Sequence, residues 1–279
     1  MNQIKPPFKI PIRLKGHGIG QFFSSMPTWA LLGLIIFLCV LTGGTGAYIA
    51  QQRYLSGVKF QETSIGTAVA AIFGLLAFML GFTFSLTWSR FANRNSIVIK
   101  QAQTIGTCYL RTSLIPEKQK QEIRRLIREY TTLLLAIQTE DEIEKKIVRF
   151  DELQITIWQQ TATLAQEDVD SELRSLFISA INELISLSIE RKILGLIFRI
   201  PNPIWASLLI LSGMGMFAYG YLTGTNGVLH IAQMILLAVS FGVVIVLIAD
   251  LDSKGLHRRF KVTQVPLQYV QDMMEKDIP

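Results

Sequence analysis

The fold is decided by residues 64–111, SIGTAVAAIFGLLAFMLGFTFSLTWSRFANRNSIVIKQAQTIGTCYLR. The stretch begins with an uncharged apolar run from Ile65 to Trp88, which is long enough to cross a bilayer as a helix of about 20 residues or more. The run passes into a polar segment without proline, and the next proline is Pro116. The sequence therefore predicts one helix that begins in lipid, ends in water and continues to about Arg111.

Eight positions on this helix recur at helical spacing and share one face. The face is apolar in the membrane, hydroxylated near the end of the span and cationic where water begins. Its residues are Val69, Phe73 (or Ile72 in its place), Leu76, Leu80, Thr83, Thr87, Arg90 and Arg94. A second face carries the small residues Gly74, Gly81 and Ser85, which predict the close approach of a neighbouring helix.

Two interpretations of the first face remain open. It lines a pore with a hydrophobic constriction, two hydroxyls and a basic mouth. Alternatively, the helix is packed inside the membrane, and Arg90 and Arg94 anchor it at the interface.

Composition and charge indicate a membrane protein. Half of the residues are hydrophobic, and they are grouped in long runs. The net charge of +6 is not a nucleic-acid signal, because the excess of Lys and Arg lies at the edges of the apolar runs while Arg90 to Arg199 is almost balanced. No nucleic-acid partner is therefore predicted.

The apolar runs predict four membrane spans, at Trp29–Ala50, Ile65–Trp88, about Ile204–Leu222 and about Val228–Leu247. Basic residues flank them on one side, and both loops on the other side are poor in charge. The positive-inside rule then places both termini in the cytosol, in a bacterial-type inner membrane. Membrane lipids are the expected surroundings.

The predicted fold class is all-α: a polytopic membrane protein with four transmembrane helices, a cytosolic helical bundle and a second span that extends into the cytosol. Apolar positions at helical period predict the bundle, and one of its apolar faces consists of Ile123, Leu126, Ile127, Tyr130, Leu133, Leu134 and Ile137. Thr139 is a predicted cap of one helix, and Asp168 or Asp170 of the next. The predicted division is a basic cytosolic segment at 1–27, spans at 28–89, a cytosolic helical domain at 90–200, spans at 201–250 and a cytosolic tail at 251–279.

The chemistry of an enzyme is missing from the sequence. The three histidines lie on separate segments, and no nucleophile–base order, zinc-binding pair or phosphate loop occurs. Cys39 and Cys108 are isolated and are predicted to be buried small residues. We therefore expect no catalytic residues, no cofactor and no metal site.

The sequence resembles the bestrophin-like membrane proteins of bacteria, a group named for its similarity to bestrophin anion channels. The resemblance rests on Leu75 to Arg111 with the Leu-Ile-Pro that ends at Pro116, on Arg199-Ile-Pro201 with Trp205, and on Ala249-Asp-Leu-Asp252. It implies a pentameric channel whose second helix forms an apolar neck. The chain departs from the family at Gln101, where an acidic residue is frequent, and at Ser253 and Lys254, where Arg-Pro often stands.

Three functions follow. The first is a homo-oligomeric ion channel, pentameric by the resemblance, in which Arg90 and Arg94 give a weak preference for inorganic anions while Glu62 at the outer mouth favours cations. The alternative is a non-conducting scaffold or sensor that presents the helical bundle to a protein partner. A transporter or enzyme ranks last, since the spans carry no charge before Asp250.

Overall fold

The structure is a computed structural model of the 279-residue chain. It describes residues 18–56, 62–136, 140–167, 169–196, 200–225, 230–253, 260 and 262–277. These residues form helices joined by short turns and contain no strand, which confirms the predicted all-α fold. The proposed cap Thr139 and the alternative cap Asp168 lie outside the described residues.

The described part of the chain forms nine α-helices. They are α1 (Ile19–Ser25), α2 (Thr28–Leu55), α3 (Glu62–Arg111), α4 (Glu117–Leu135), α5 (Glu140–Thr163), α6 (Ser171–Leu196), α7 (Asn202–Gly224), α8 (Ile231–Asp252) and α9 (Val265–Lys276).

Four of these helices, α2, α3, α7 and α8, are long and apolar enough to cross a membrane. They correspond to the four predicted spans. Helix α3 has 50 residues and ends at Arg111, as the sequence predicts. At about 1.5 Å per residue it is about 75 Å long, more than twice the hydrocarbon thickness of a bilayer.

The chain divides into two compact units. One falls within Gly16–Phe91 and Arg199–Phe260 and is called here the apolar unit. The other includes Ala92–Phe198 and Lys261–Pro279 and is called the polar unit. Helix α3 contributes its first part to the apolar unit and its last part to the polar unit.

In the apolar unit, α2 and α7 meet along a seam of glycines. A β-carbon placed on Gly220 would lie 1.9 Å from the carbonyl oxygen of Gly43, and one placed on Gly46 would lie 2.1 Å from that of Phe217. A β-carbon on Gly224 would lie 2.5 Å from the oxygen of Ala47. Because lipid gives two apolar helices little reason to associate, such backbone-to-backbone packing is the main source of their attraction.

The polar unit has a conventional core of amphipathic helices. The apolar face predicted for α4 is buried, and α9 completes the core. The buried residues on these two helices are Ile123, Leu126, Ile127, Tyr130, Leu134, Leu267, Val270 and Met274. Helix α6 begins at the predicted cap: the carboxylate oxygen Oδ1 of Asp170 accepts the backbone N–H groups of Glu172, at 2.8 Å, and Leu173, at 3.2 Å.

Candidate functional site

The structure places most of the face of α3 that begins at Val69 inside the single chain. A pore between copies of a chain must be lined by side chains on the surface of each copy. Five residues of the predicted pore face are instead buried within the single chain: Val69, Leu76, Leu80, Thr83 and Thr87. Leu76 and Leu80 belong to the core of the apolar unit, together with residues of α2, α7 and α8.

The two threonine hydroxyls are also occupied within α3. Thr83 donates its hydroxyl to the carbonyl oxygen of Met79 at 2.7 Å, and Thr87 donates to the carbonyl oxygen of Thr83 at 2.7 Å. This back-bonding satisfies a hydroxyl inside an apolar helix without a ligand. Thr83 and Thr87 therefore do not offer their protons to a passing ion.

Phe73 packs inward as well. Its ring lies 5.4 Å from that of Phe241 on α8 and 6.3 Å from that of Tyr219 on α7, measured between centroids. Gly215 leaves room for it, because a β-carbon there would lie 2.8 Å from Cε1 of Phe73. Phe73, like the five buried residues of the predicted pore face, therefore makes its contacts within the chain.

The predicted basic mouth is half-buried. Arg90 and Arg94 both have intermediate exposure. The Nη1 atom of Arg90 is buried and has no hydrogen-bond partner among the residues that the structure describes. The side chain of Glu62, the predicted outer mouth, lies outside the described residues.

The opposite face of α3 is the one that the single chain leaves uncovered. Gly74 and Gly81, predicted to receive a neighbouring helix, have open space where a β-carbon would point. Ser85 on the same face is exposed. Phe78 and Phe82 lie beside these small residues with 66% and 49% of their surface exposed.

The spacing of Phe78 and Phe82 in the sequence is a signal that the analysis of the first face did not use. Phe78 and Phe82 stand four residues apart, which places them one turn apart on the same side of a helix. Their rings stack with centroids 6.5 Å apart and planes inclined by 11°. The uncovered face of α3, from Gly74 to Ser85, is the candidate functional site.

Other polar residues in the apolar unit have structural roles. Asp252, at the end of α8, is buried, and its Oδ1 atom accepts the backbone N–H of Ile200 at 3.2 Å. This bond holds the chain where α7 is about to begin. Cys39 and Cys108 are free and buried, as predicted. Among the described residues, no cluster of three or more potential ligands could hold a metal ion.

Two comparisons with known proteins give one answer. A family model described as the Bestrophin-like domain matches residues 33–266. Two crystal structures of variants of a bacterial bestrophin homologue from Klebsiella pneumoniae share the fold, with TM-scores of 0.66 and 0.65 at 13% identity. The matches cover 87% and 88% of this chain, and 96% of each homologue. No curated protein matches the chain.

Proposed function

Because the chain belongs to the bestrophin-like family, we propose that it is one subunit of an oligomeric ion channel whose pore is lined by helix α3. A ring of five copies is the favoured assembly, as the resemblance to bestrophins implies. The proposal rests on the uncovered face from Gly74 to Ser85, since this apolar surface lies on the helix that the family uses for its pore.

The residues proposed to line the pore are those of the uncovered face. Phe78 and Phe82 form the narrow apolar neck, because their rings are the largest groups on this face. Gly74, Gly81 and Ser85 are small, so the helix surface around the rings lets copies of α3 approach one another closely. A neck of this kind regulates ion passage by excluding water when it is narrow.

The charge of α3 supports a weak preference for anions. From Ile65 to Arg111 the helix contains no Asp or Glu, whereas it contains Arg90, Arg94, Lys100 and Arg111. A row of cations with no carboxylate among them raises the potential along the helix and concentrates anions near it. Glu62, which precedes this row, opposes the preference at the other end.

Under this proposal the protein is a multi-pass protein of the inner membrane with both termini in the cytosol. The support is the position of its cations: the four apolar helices are flanked by basic residues on one side. The proposed partners are further copies of the chain, inorganic ions and membrane lipids, and no enzymatic activity is assigned.

A cysteine-accessibility experiment tests both conduction and the choice of face. The purified protein is reconstituted in liposomes, and chloride efflux is measured before and after adding a charged, water-soluble methanethiosulfonate. We expect the reagent to reduce flux through Ser85→Cys. Thr83→Cys, which is buried in the chain, and Leu41→Cys, on an exposed face of α2, serve as matched controls and are expected to be unaffected.

The outcomes separate the two parts of the proposal. If wild-type protein conducts neither anions nor cations, the channel assignment fails. If it conducts but Thr83→Cys responds and Ser85→Cys does not, the channel remains and the face assignment fails. The native cysteines give little background because both are buried.

The second candidate is a non-conducting scaffold or sensor. The observation that favours it is the exposure of large apolar side chains in the polar unit, where Val148, Trp158 and Leu176 are 63%, 41% and 46% exposed. Such residues are common at protein interfaces. A monomer or dimer in mild detergent, together with the absence of flux, is the expected result for this function.

A further inference from the structure

The last part of α3, which belongs to the polar unit, has one buried side and one side that the chain leaves uncovered. The buried side packs into the core of the polar unit, through residues that include Ala102, Ile105 and Tyr109. The uncovered side consists of exposed residues at helical spacing, which are Ser96, Ile99, Lys100, Gln103, Thr107 and Leu110. Because most of these side chains are polar, this side of α3 is suited to contact with water.

The uncovered side continues the line of α3 on which the two stacked phenylalanines stand. Helix α3 is unbroken from Glu62 to Arg111. Ser96 follows Phe78 by eighteen residues, and Lys100 follows Phe82 by the same number, which corresponds to five turns of about 3.6 residues each. A pore lined by Phe78 and Phe82 therefore has Ser96 and Lys100 on the same side of the helix.

The other cations of α3 are turned away from this line or engaged by the backbone. Arg90 and Arg94 belong to the face that was first predicted to line the pore, and both are half-buried. The Nη1 group of Arg111 donates to the backbone carbonyl oxygen of Leu176 on α6 at 2.8 Å. Lys100, in contrast, is exposed and forms no ion pair with a carboxylate of the described residues.

Resting on the proposed channel function, we propose that Lys100 is the residue that determines the preference of the pore for small inorganic anions. In a ring of copies, every subunit presents the ammonium group of Lys100 to the axis. No carboxylate on α3 between Ile65 and Arg111 offsets these charges. Rings of cationic side chains select anions in aqueous pores, because they concentrate anions and repel cations.

Such a ring acts through the electrostatic potential in water, so its effect depends on the salt concentration. The Debye length is about 10 Å at 0.1 M ionic strength and about 3 Å at 1 M. The anion preference that is due to Lys100 is therefore expected to decrease as the concentration of potassium chloride rises.

The experiment changes the charge at position 100 in a protein that is already folded and conducting. Lys100→Cys is reconstituted in planar bilayers, and the reversal potential in a gradient of potassium chloride gives the ratio of chloride to potassium permeability. We expect this ratio to be several-fold lower than in the wild type. A methanethiosulfonate that carries a trimethylammonium group then restores the ratio, and one that carries a sulfonate group lowers it further.

Lys118→Cys is the matched control. Lys118 is an exposed lysine on α4, so the substitution and the two reagents make the same charge changes away from α3. Its permeability ratio is expected to equal that of the wild type throughout. Treatment of the wild type with both reagents controls for Cys39 and Cys108, which are buried.

The outcomes separate this inference from the channel proposal. If neither the wild type nor the variants pass current, the proposed function fails and the role of Lys100 fails with it. If they conduct, but the ratio is insensitive to the charge at position 100 or responds equally at position 118, only the role of Lys100 is overturned. A shift in Lys100→Cys that is as large at 1 M as at 0.1 M potassium chloride would overturn it as well.

Discussion

The ring of Phe78 stacks on the ring of Phe82 at a centroid distance of 6.5 Å, and both rings stand on the side of α3 that the rest of the chain leaves uncovered. In the single chain, 66% of the surface of Phe78 and 49% of that of Phe82 stay exposed. In the ring of copies proposed above, this pair would be the apolar neck.

Removing both rings is expected to increase conduction. In Phe78→Ala/Phe82→Ala the neck widens and water enters it more easily, so chloride flux into liposomes rises several-fold. The matched control is Phe37→Ala, which removes an equally exposed ring from α2 and leaves flux unchanged. Wild-type flux in the double variant would exclude this pair as the neck.

The glycine seam between α2 and α7 predicts a sharp contrast between two Gly→Ala changes. Gly220→Ala inserts a methyl group 1.9 Å from the carbonyl oxygen of Gly43, so the two backbones must separate. Gly44→Ala, on the facing helix, meets nothing within 4 Å. We expect Gly220→Ala to lower the thermal midpoint in detergent by several degrees, and Gly44→Ala to match or exceed the wild type. Equal thermal midpoints of the two variants would show that α2 and α7 separate without loss of stability.

Helix α9 is predicted to be an integral part of the polar unit. Leu267 is fully buried, and Leu267→Ala is expected to lower the free energy of unfolding by about 2–5 kcal/mol. Tyr269 lies two residues away with 74% of its surface exposed, and Tyr269→Ala should change stability by less than about 0.5 kcal/mol. Chemical denaturation of both variants measures the difference, and similar values would mean that α9 is not docked in solution.

The buried thiol of Cys108 predicts a dependence of stability on alkaline pH. Burial raises the pKa of Cys108 from 9.0 to about 12. The unfolded thiol loses its proton above about pH 9 while the folded thiol keeps it, so the folded state is progressively disfavoured between pH 9 and 12. The contribution falls by about 1.4 kcal/mol per pH unit in this window and is constant below it.

Cys108→Ala isolates this contribution from that of other groups. The difference in unfolding free energy between wild type and variant is expected to shift in favour of the variant as pH rises from 9 to 11. A difference that stays constant over this range would place the thiol in a solvated environment.

The fold could be predicted from sequence because its signals are strong and local. The apolar runs define the four long helices, and the absence of a proline before Pro116 predicts the continuous α3. In the polar unit, exposed positions carry polar residues and buried positions carry apolar ones, so the two kinds of position can be told apart in the sequence. Ile123, Ile127 and Tyr130 were predicted on this basis and are buried.

The orientation of α3 could not be predicted in the same way. Lipid is as apolar as a protein core, so an apolar residue such as Leu76 carries no mark of which one it contacts. Thr83 and Thr87 suggested a wet surface, but a threonine satisfies its hydroxyl on its own helix. Within the single chain, Leu76 is buried and Gly74 and Gly81 have open space beside them, an arrangement that the spacing argument could not distinguish from its reverse.

The polar contacts among Gln101, Tyr130 and Arg191 could not be predicted from the sequence either. Gln101 and Arg191 are 90 residues apart and belong to separate helices. Their spacing contains no periodicity or motif that brings them together, and only the packed bundle does so.

The contact between Gly43 and Gly220 has a mechanical consequence. Where two backbones touch directly, no side chain can change rotamer to let one helix slide past the other. Helices α2 and α7 are therefore expected to move as one rigid pair, so that any widening of the proposed pore would require α3 to move relative to that pair.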